Sequence, residues 1–238
     1  MPTALLDRTL IRDLPLFERM DDAALDDVLL QASSQRYAAG ETVFEQGGAA
    51  ERFFVLLHGR LRVTQVTPEG HQVVVRMVSP GDLFGIAKVL QRTDYPGTAT
   101  AVLESVALAW PMSAWSDVVD DYPAFAVNAM QVMGERLQEA QSRIREFSTE
   151  AVERRVGHAV LRLARQSGYP EGNGIRIDFP ISKQDIAEMT GTTLHTVSRI
   201  LTAWEEAGLV GTGRQKLLVK NPHHLLLIAD GIEAALAK

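Results

Sequence analysis

The stretch Ser182-Lys183-Gln184-Asp185-Ile186-Ala187-Glu188-Met189-Thr190-Gly191-Thr192-Thr193-Leu194-His195-Thr196-Val197-Ser198-Arg199-Ile200-Leu201 decides how this chain is read. Ser182 and Asp185 form a capping-box variant that opens a helix over Lys183–Thr190, with Ile186 and Met189 as its apolar face. Gly191 breaks that helix where a turn favours left-handed backbone. Thr192 is placed to cap a second helix, Thr193–Ala207, whose buried side is Val197, Ile200, Leu201 and Trp204, and Gly208 ends it as a C′ residue. Helix, glycine turn and helix of this size are the helix-turn-helix layout. The hairpin Leu209–Val219, with its tip at Gly211-Thr212-Gly213-Arg214, reads as a wing.

The early, exposed face of the second helix holds Thr193, His195, Thr196, Ser198 and Arg199, a polar set sized for a DNA major groove. A guanidinium grips guanine O6 and N7 in a bidentate manner, so Arg199 is the expected reader, with His195 and Ser198 on neighbouring base edges. Ser182, Lys183, Gln184, Thr192, Thr193, Arg214 and Lys216 sit where phosphates would run, contacts that fix position without reading sequence. The competing reading is a winged helix used for protein contact, with Arg199 as a solvated surface charge.

Upstream, Ala124–Ser148 is a helical stretch free of proline. Ala126, Met130, Met133, Leu137, Ala140, Ile144 and Phe147 follow a 4-3-4-3-4-3 spacing, an a/d seam on a helix of about 37 Å. Such a seam either packs on the chain's own β-domain or pairs with its twin; the regularity favours a parallel homodimer.

From Arg36 to Met112 the texture is β-rich. The runs are Thr42–Phe44, Phe53–Leu57, Leu61–Val66, Val73–Val78 and Ala99–Ala109, punctuated by Gly47-Gly48, His58-Gly59, Pro68-Glu69-Gly70, Ser79-Pro80-Gly81-Asp82 and Pro96-Gly97. Short strands with such punctuation mean an all-β barrel, roll or sandwich. No helix-length crossover separates them, which argues against a parallel sheet. Asp13–Gln31 adds short amphipathic helices. The expected fold is α+β: a jelly-roll-like β-roll sensor domain with N-terminal helices over 1–122, a dimerisation helix over 123–149, and a winged helix-turn-helix domain over 150–238.

Charge supports two separate tasks. The chain carries a net charge of −6. It is unevenly spread: residues 1–148 hold 13 Lys+Arg against 20 Asp+Glu, and residues 149–238 hold 11 against 10. Only the second part suits phosphates. With 238 residues there is room for two modest cores. The absence of cysteine excludes disulfides, thiolate zinc, cysteine-ligated iron–sulfur clusters and thiol nucleophiles. No apolar run reaches membrane-spanning length, and Met1–Leu10 lacks a secretory pattern, so the expected location is the cytoplasm with no membrane partner. Walker-type loops, nucleophile elbows and His-Glu-x-x-His are missing, so no enzymatic activity is expected.

The chain resembles the cyclic-AMP-receptor/FNR family of bacterial transcription regulators from about Leu14 to Val219. The carrying residues are Ala38 to Gly47, Phe53 to Val63, Ser79 to Gly85 and Thr193 to Leu201. The resemblance implies a sensory roll, a dimer helix, DNA binding on a palindrome, and RNA polymerase as a partner. Cyclic-AMP-binding members carry Gly-Glu and Arg-Ser/Thr-Ala at the ends of a phosphate cassette. Here those places read Gly85-Ile86 and Gly97-Thr98-Ala99, so cyclic AMP is not the expected ligand, because a buried phosphate needs a cation.

The recognition helix is similar to the FNR branch's Glu-x-x-Ser-Arg, with His195 in place of the glutamate. That implies half-sites with a TTG-like core and an altered preference opposite His195. The texture of Gln91–Thr100 and Met189–Arg199 looks most like the nitric-oxide-responsive denitrification regulators, some of which are thought to use haem. Haem therefore stays open as a cofactor, with His71 or His158 as conceivable ligands; His58, His195, His223 and His224 have no metal-site spacing either. The alternatives are a ligand-binding or protein-interaction module with a degenerate winged helix, and a regulator with no small-molecule effector.

Overall fold

The computed structural model describes residues 7–232. Residues 1–6 and 233–238, which include most of the Met1–Leu10 stretch and the ends of the expected first and last domains, lie outside them. The chain divides into two compact units, one made of residues up to 65 together with 76–140, the other of 66–75 together with 141 onward.

In the first unit, helix α1 (Asp22–Leu30) starts where the Asp21 carboxylate accepts from the Ala24 N–H at 2.8 Å. Eight strands follow: β1 (Ser33–Tyr37), β2 (Thr42–Phe44), β3 (Arg52–His58), β4 (Leu61–Val66), β5 (Gln72–Val78), β6 (Leu83–Phe84), β7 (Thr98–Ala101) and β8 (Ser105–Pro111). They form two four-stranded sheets, ordered β1-β8-β3-β6 and β2-β7-β4-β5. The central pairing is antiparallel, with Phe54 opposite Ala109 and Val55 opposite Leu108. The expected β-roll is present. Its strands differ in three places: the run Ala99–Ala109 is two strands separated by a bend, β1, with its polar sequence Ser-Ser-Gln-Arg-Tyr, is ordered through its ladder to β8, and the short β6 pairs with β3. Helix α2 (Ala114–Asp121) and helix α3 (Pro123–Thr149) complete the unit, α3 running on into the second.

Aromatic rings fill the roll. Phe53 stacks on Trp110 with centroids 5.4 Å apart, and Phe17 bridges Trp110 and Phe125 of α3. The buried Trp110 indole donates to the Val28 carbonyl at 2.8 Å, which removes the cost of hiding its N–H. A second cluster joins Phe44, Phe54, Phe84 and Tyr95, the Phe44 and Tyr95 rings lying 4.0 Å apart. Full burial of each such ring contributes about 1.5–3 kcal/mol.

The second unit contains α4 (Val152–Ser167), β9 (Gly168–Glu171), β10 (Gly174–Ile177), α5 (Lys183–Thr190), α6 (Leu194–Glu206), β11 (Val210–Gly213), β12 (Lys216–Val219) and α7 (Pro222–Ala229). The four strands form one sheet ordered β11-β12-β10-β9. Val156 and Val160 of α4, Ile186 of α5, Val197, Leu201 and Trp204 of α6 and Leu225 of α7 are buried in its core. A Cβ at Gly157 would sit 3.1 Å from the Ala229 Cβ, so α4 and α7 approach closely there.

Candidate nucleic-acid interface

The capping box opens α5 as the sequence indicates. The Ser182 hydroxyl accepts from the Asp185 N–H at 3.0 Å and donates to the Asp185 carboxylate at 2.6 Å, while the Ser182 N–H donates to the same carboxylate at 2.9 Å. That engagement corrects the expectation for Ser182: its hydroxyl is committed to the helix start and is not presented to phosphates. Gly191 then takes the left-handed conformation, φ 59° and ψ 45°, as the turn requires.

The cap of α6 is Thr193, not Thr192. The Thr193 backbone is extended and its hydroxyl accepts from the Thr196 N–H at 3.2 Å, so the helix begins at Leu194. Two threonines compete for one role, and the one-residue spacing settles it, because the cap oxygen must reach the N–H three residues on. Thr193, expected at a phosphate, is thus held in the cap, with its hydroxyl also 3.0 Å from that of Thr196; Thr192 is left half-exposed.

The base-reading candidates lie on one early face of α6. His195 and Arg199 are exposed and Ser198 is half-buried. Lys183 Nζ donates to Ser198 Oγ at 3.1 Å, bringing an expected phosphate contact and an expected base reader together. Gln184 is exposed, with its amide donating to Glu188 at 2.8 Å. Arg214 and Lys216 are exposed at the hairpin end. Because β11 runs through Gly213, the wing tip is Arg214-Gln215, with Gln215 at φ 56°, one step beyond the expected Gly211–Arg214.

Sequence reading missed the brace of this wing. Glu205 of α6 accepts from the Thr212 N–H at 2.8 Å and from its hydroxyl at 2.7 Å. Those hydrogen bonds, backbone first, hold the Glu205 carboxyl below the usual range. No local pattern marks the pair, since its members are seven residues apart on different elements.

On α3 the expected seam splits. Met130, Leu137 and Ile144 are 60%, 60% and 66% exposed, and Ala140 is also exposed. Met133 is half-buried and packs with Phe125, Ala129 and Val132 on the first core cluster; Ala126 is half-buried as well. Phe147 turns aside: a Cβ on Gly191 would lie 2.7 Å from its ring, and the Arg155 guanidinium sits 5.3 Å from the ring centroid. The open apolar stripe runs instead through Val127, Met130, Gly134, Leu137, Ala140 and Ile144, still at 3- and 4-residue steps. Spacing gave the period; the inner face of α3 fixed the phase.

The turn joining α3 to α4 is rich in charge. Glu146, 8% exposed, pairs with Arg162 at 2.6 Å, and Glu150 contacts Arg154 and His158 Nε2, both at 3.3 Å. An axial haem ligand needs a ring nitrogen open to an apolar pocket. His158 faces Glu150 and His71 is exposed, so neither arrangement suits one. Among the described residues no group of His, Asp and Glu is placed to hold a metal ion, and no helix is long and apolar enough to cross a membrane.

Comparison with known proteins agrees with this architecture. Residues 34–122 match the cyclic nucleotide-binding domain family, and residues 154–228 match the Crp-like helix-turn-helix domain family. The chain is 28% identical to the cyclic AMP receptor protein of Thermus thermophilus, covering 92% of this chain and 98% of that one. It is 27% identical to the global nitrogen regulator of Synechocystis sp., covering 91% and 96%. Among solved structures, FixK2 from Bradyrhizobium japonicum superposes with a TM-score of 0.72 at 20% identity, covering 82% of this chain and 95% of that one.

Proposed function

We propose, from the premise that the chain belongs to the Crp/Fnr family of DNA-binding transcription regulators, that it works as a homodimer on a palindromic site. The observation that carries this reading is the pairing of two open surfaces: the early face of α6 with His195 and Arg199, and the unpartnered apolar stripe of α3. Arg199 reads guanine, Ser198 and His195 read the adjacent edges of a TTG-like core, and Lys183, Gln184, Thr192, Arg214 and Lys216 line the phosphates. Two copies joined along Met130, Leu137 and Ile144 place their recognition helices about 34 Å apart, one turn of DNA. RNA polymerase is the further partner of this reading, and the working division of the chain is 1–122, 123–149 and 150–238.

The signal in this reading is a nitrogen oxide, nitric oxide or low oxygen, and not cyclic AMP. It rests on the absent cassette residues at Ile86 and Thr98 and on the aromatic rings of Phe44, Phe54, Phe84 and Tyr95 filling the roll. The CRP-like cAMP-activated global transcriptional regulator of Mycobacterium tuberculosis is only 21% identical to this chain. A shift of the α3 seam between two registers would carry the signal to the turn near Glu150, and needs only a few kcal/mol of differential binding.

The test is a titration of the purified protein against palindromic duplexes with varied half-sites, over a salt series. Affinity should fall steeply as salt rises and should depend on the base pairs facing Arg199. Binding that ignores both sequence and salt would instead favour a protein-contact module with a degenerate winged helix.

A further inference from the structure

Between the roll and the first half of α3, inside the first unit, positive charge gathers around one carboxylate. Arg76 of β5 lies 2.8 Å from Asp82 through Nη2, and Arg136 of α3 pairs with the other oxygen of Asp82. Arg60, only 6% exposed, donates to the Ser79 hydroxyl, and the Ser79 N–H donates to Asp82 at 2.8 Å. Glu139 takes the remaining terminal nitrogen of Arg136 at 3.1 Å. Arg76 and Arg136 thus share the Asp82 carboxylate, with Arg60 one serine away through Ser79.

The geometry leaves Arg76 and Arg136 with donors to spare. The Nε atoms of Arg76 and Arg136 are both buried and meet no acceptor among the described residues. A buried N–H donor without an acceptor is unfavourable, most of all on a charged group. Burial, with the neighbouring Arg136 charge, lowers the Arg76 pKa despite the opposing pull of Asp82 and Glu139. The Asp82 backbone is pinned to β3, its carbonyl accepting from Leu56 N–H at 3.1 Å and the preceding Gly81 N–H reaching Leu56 O at 2.7 Å. A departing carboxylate would give up the Ser79 N–H as well as the two arginines, and these backbone bonds would then hold the turn.

We infer that Arg60, Arg76 and Arg136 form a binding site for a small planar oxyanion, a carboxylate, nitrate or nitrite, with the Asp82 carboxylate as the built-in occupant it displaces. A planar anion meets a guanidinium through two parallel hydrogen bonds, which Nε and Nη together offer and Asp82 does not complete. The consequence for DNA binding rests on the regulator reading above; the binding itself does not. Arg136 precedes the exposed seam residue Leu137, so exchanging its anion alters the hold on α3 next to the open stripe. Polarity is thereby arranged with aromatic rings deep in the roll and cations toward the helix, the reverse of what a buried phosphate at Gly85 and Thr98 would need.

The experiment is thermal unfolding of the full chain in chloride buffers of fixed ionic strength, with acetate, succinate, nitrate, nitrite or inorganic phosphate replacing chloride. Asp82→Ala should lower Tm, and at least one planar oxyanion should restore it while chloride does not. Arg76→Gln in the Asp82→Ala background should abolish that rescue. Isothermal titration of the wild type and of Arg76→Gln alone gives a second readout if Asp82→Ala fails to fold: the rescuing anions should bind about tenfold more weakly to Arg76→Gln. Rescue that persists without Arg76, no saturable binding of any planar anion, or a preference for phosphate would each overturn the assignment. Loss of DNA binding with anion binding intact would count against the regulator reading alone.

Discussion

Lys183 and Ser198 are joined across the helix-turn-helix: the lysine ammonium at the first turn of α5 donates to the serine hydroxyl on α6 at 3.1 Å. The contact puts the Lys183 ammonium against the Ser198 hydroxyl, next in sequence to the exposed Arg199. It also means that the two residues do not act independently.

Lys183→Ala should weaken binding to all duplexes alike and reduce the salt slope by about one, whereas Arg199→Ala should cost about 1–3 kcal/mol and relax preference at a single base pair. Ser198→Ala should combine with Lys183→Ala less than additively. A double-mutant cycle by fluorescence anisotropy, run on cognate and scrambled duplexes, measures all three. Full sequence discrimination by Arg199→Ala would remove the base-reading role.

The seam and the inner face of α3 should separate by mutation. Leu137→Glu, on a side chain that is 60% exposed, should leave the monomer's unfolding midpoint nearly unchanged and shift sedimentation from dimer to monomer. Met133→Ala should do the opposite, losing about 1–2 kcal/mol of stability while still dimerising, because its side chain packs on the roll core. Equal effects on both measurements would show that the phase assigned to the stripe is wrong.

Gly191 is held by its own backbone and by Phe147. A methyl group there meets the left-handed φ of 59° and the Phe147 ring at 2.7 Å. Gly191→Ala should cost at least about 1–2 kcal/mol from the backbone alone. Adding Phe147→Ala should return only the steric part, and chemical denaturation of the single and double variants reads that coupling directly.

The wing should loosen in acid. Glu205 has its pKa lowered in the folded state, so its bracing of Thr212 is fully present above the unfolded-state pKa near 4.5 and is lost as pH falls through the lower folded value. Amide exchange at Thr212 should accelerate across that window, and Glu205→Gln should remove the pH dependence. An unchanged Thr212 exchange rate across the same window would show that the carboxylate is not the brace.

Much of the architecture could be read along the chain because it is written in local chemistry. The Ser182–Asp185 box, the Gly191 turn and the Gly208 stop each act within a few residues, and the structure reproduces them. Strand β1 was hidden because Ser33-Ser34-Gln35-Arg36-Tyr37 has no alternation of its own; its order comes from β8, about seventy residues away. Ser182 and Thr193 are exposed to misreading for a related reason, since a hydroxyl that can meet a phosphate can equally cap a helix.

The sequence by itself determined the order of parts, the helix-turn-helix and the 3.5-residue period of α3, because these follow from propensities and spacings that need no distant partner. Only the tertiary structure decided which side of α3 stays open, which side chains the caps consume, and that Arg76 and Arg136 meet on Asp82 with Arg60 beside them on Ser79. Those outcomes depend on contacts between residues far apart in the chain, where packing and charge are settled by position in space and leave no periodic trace in the sequence.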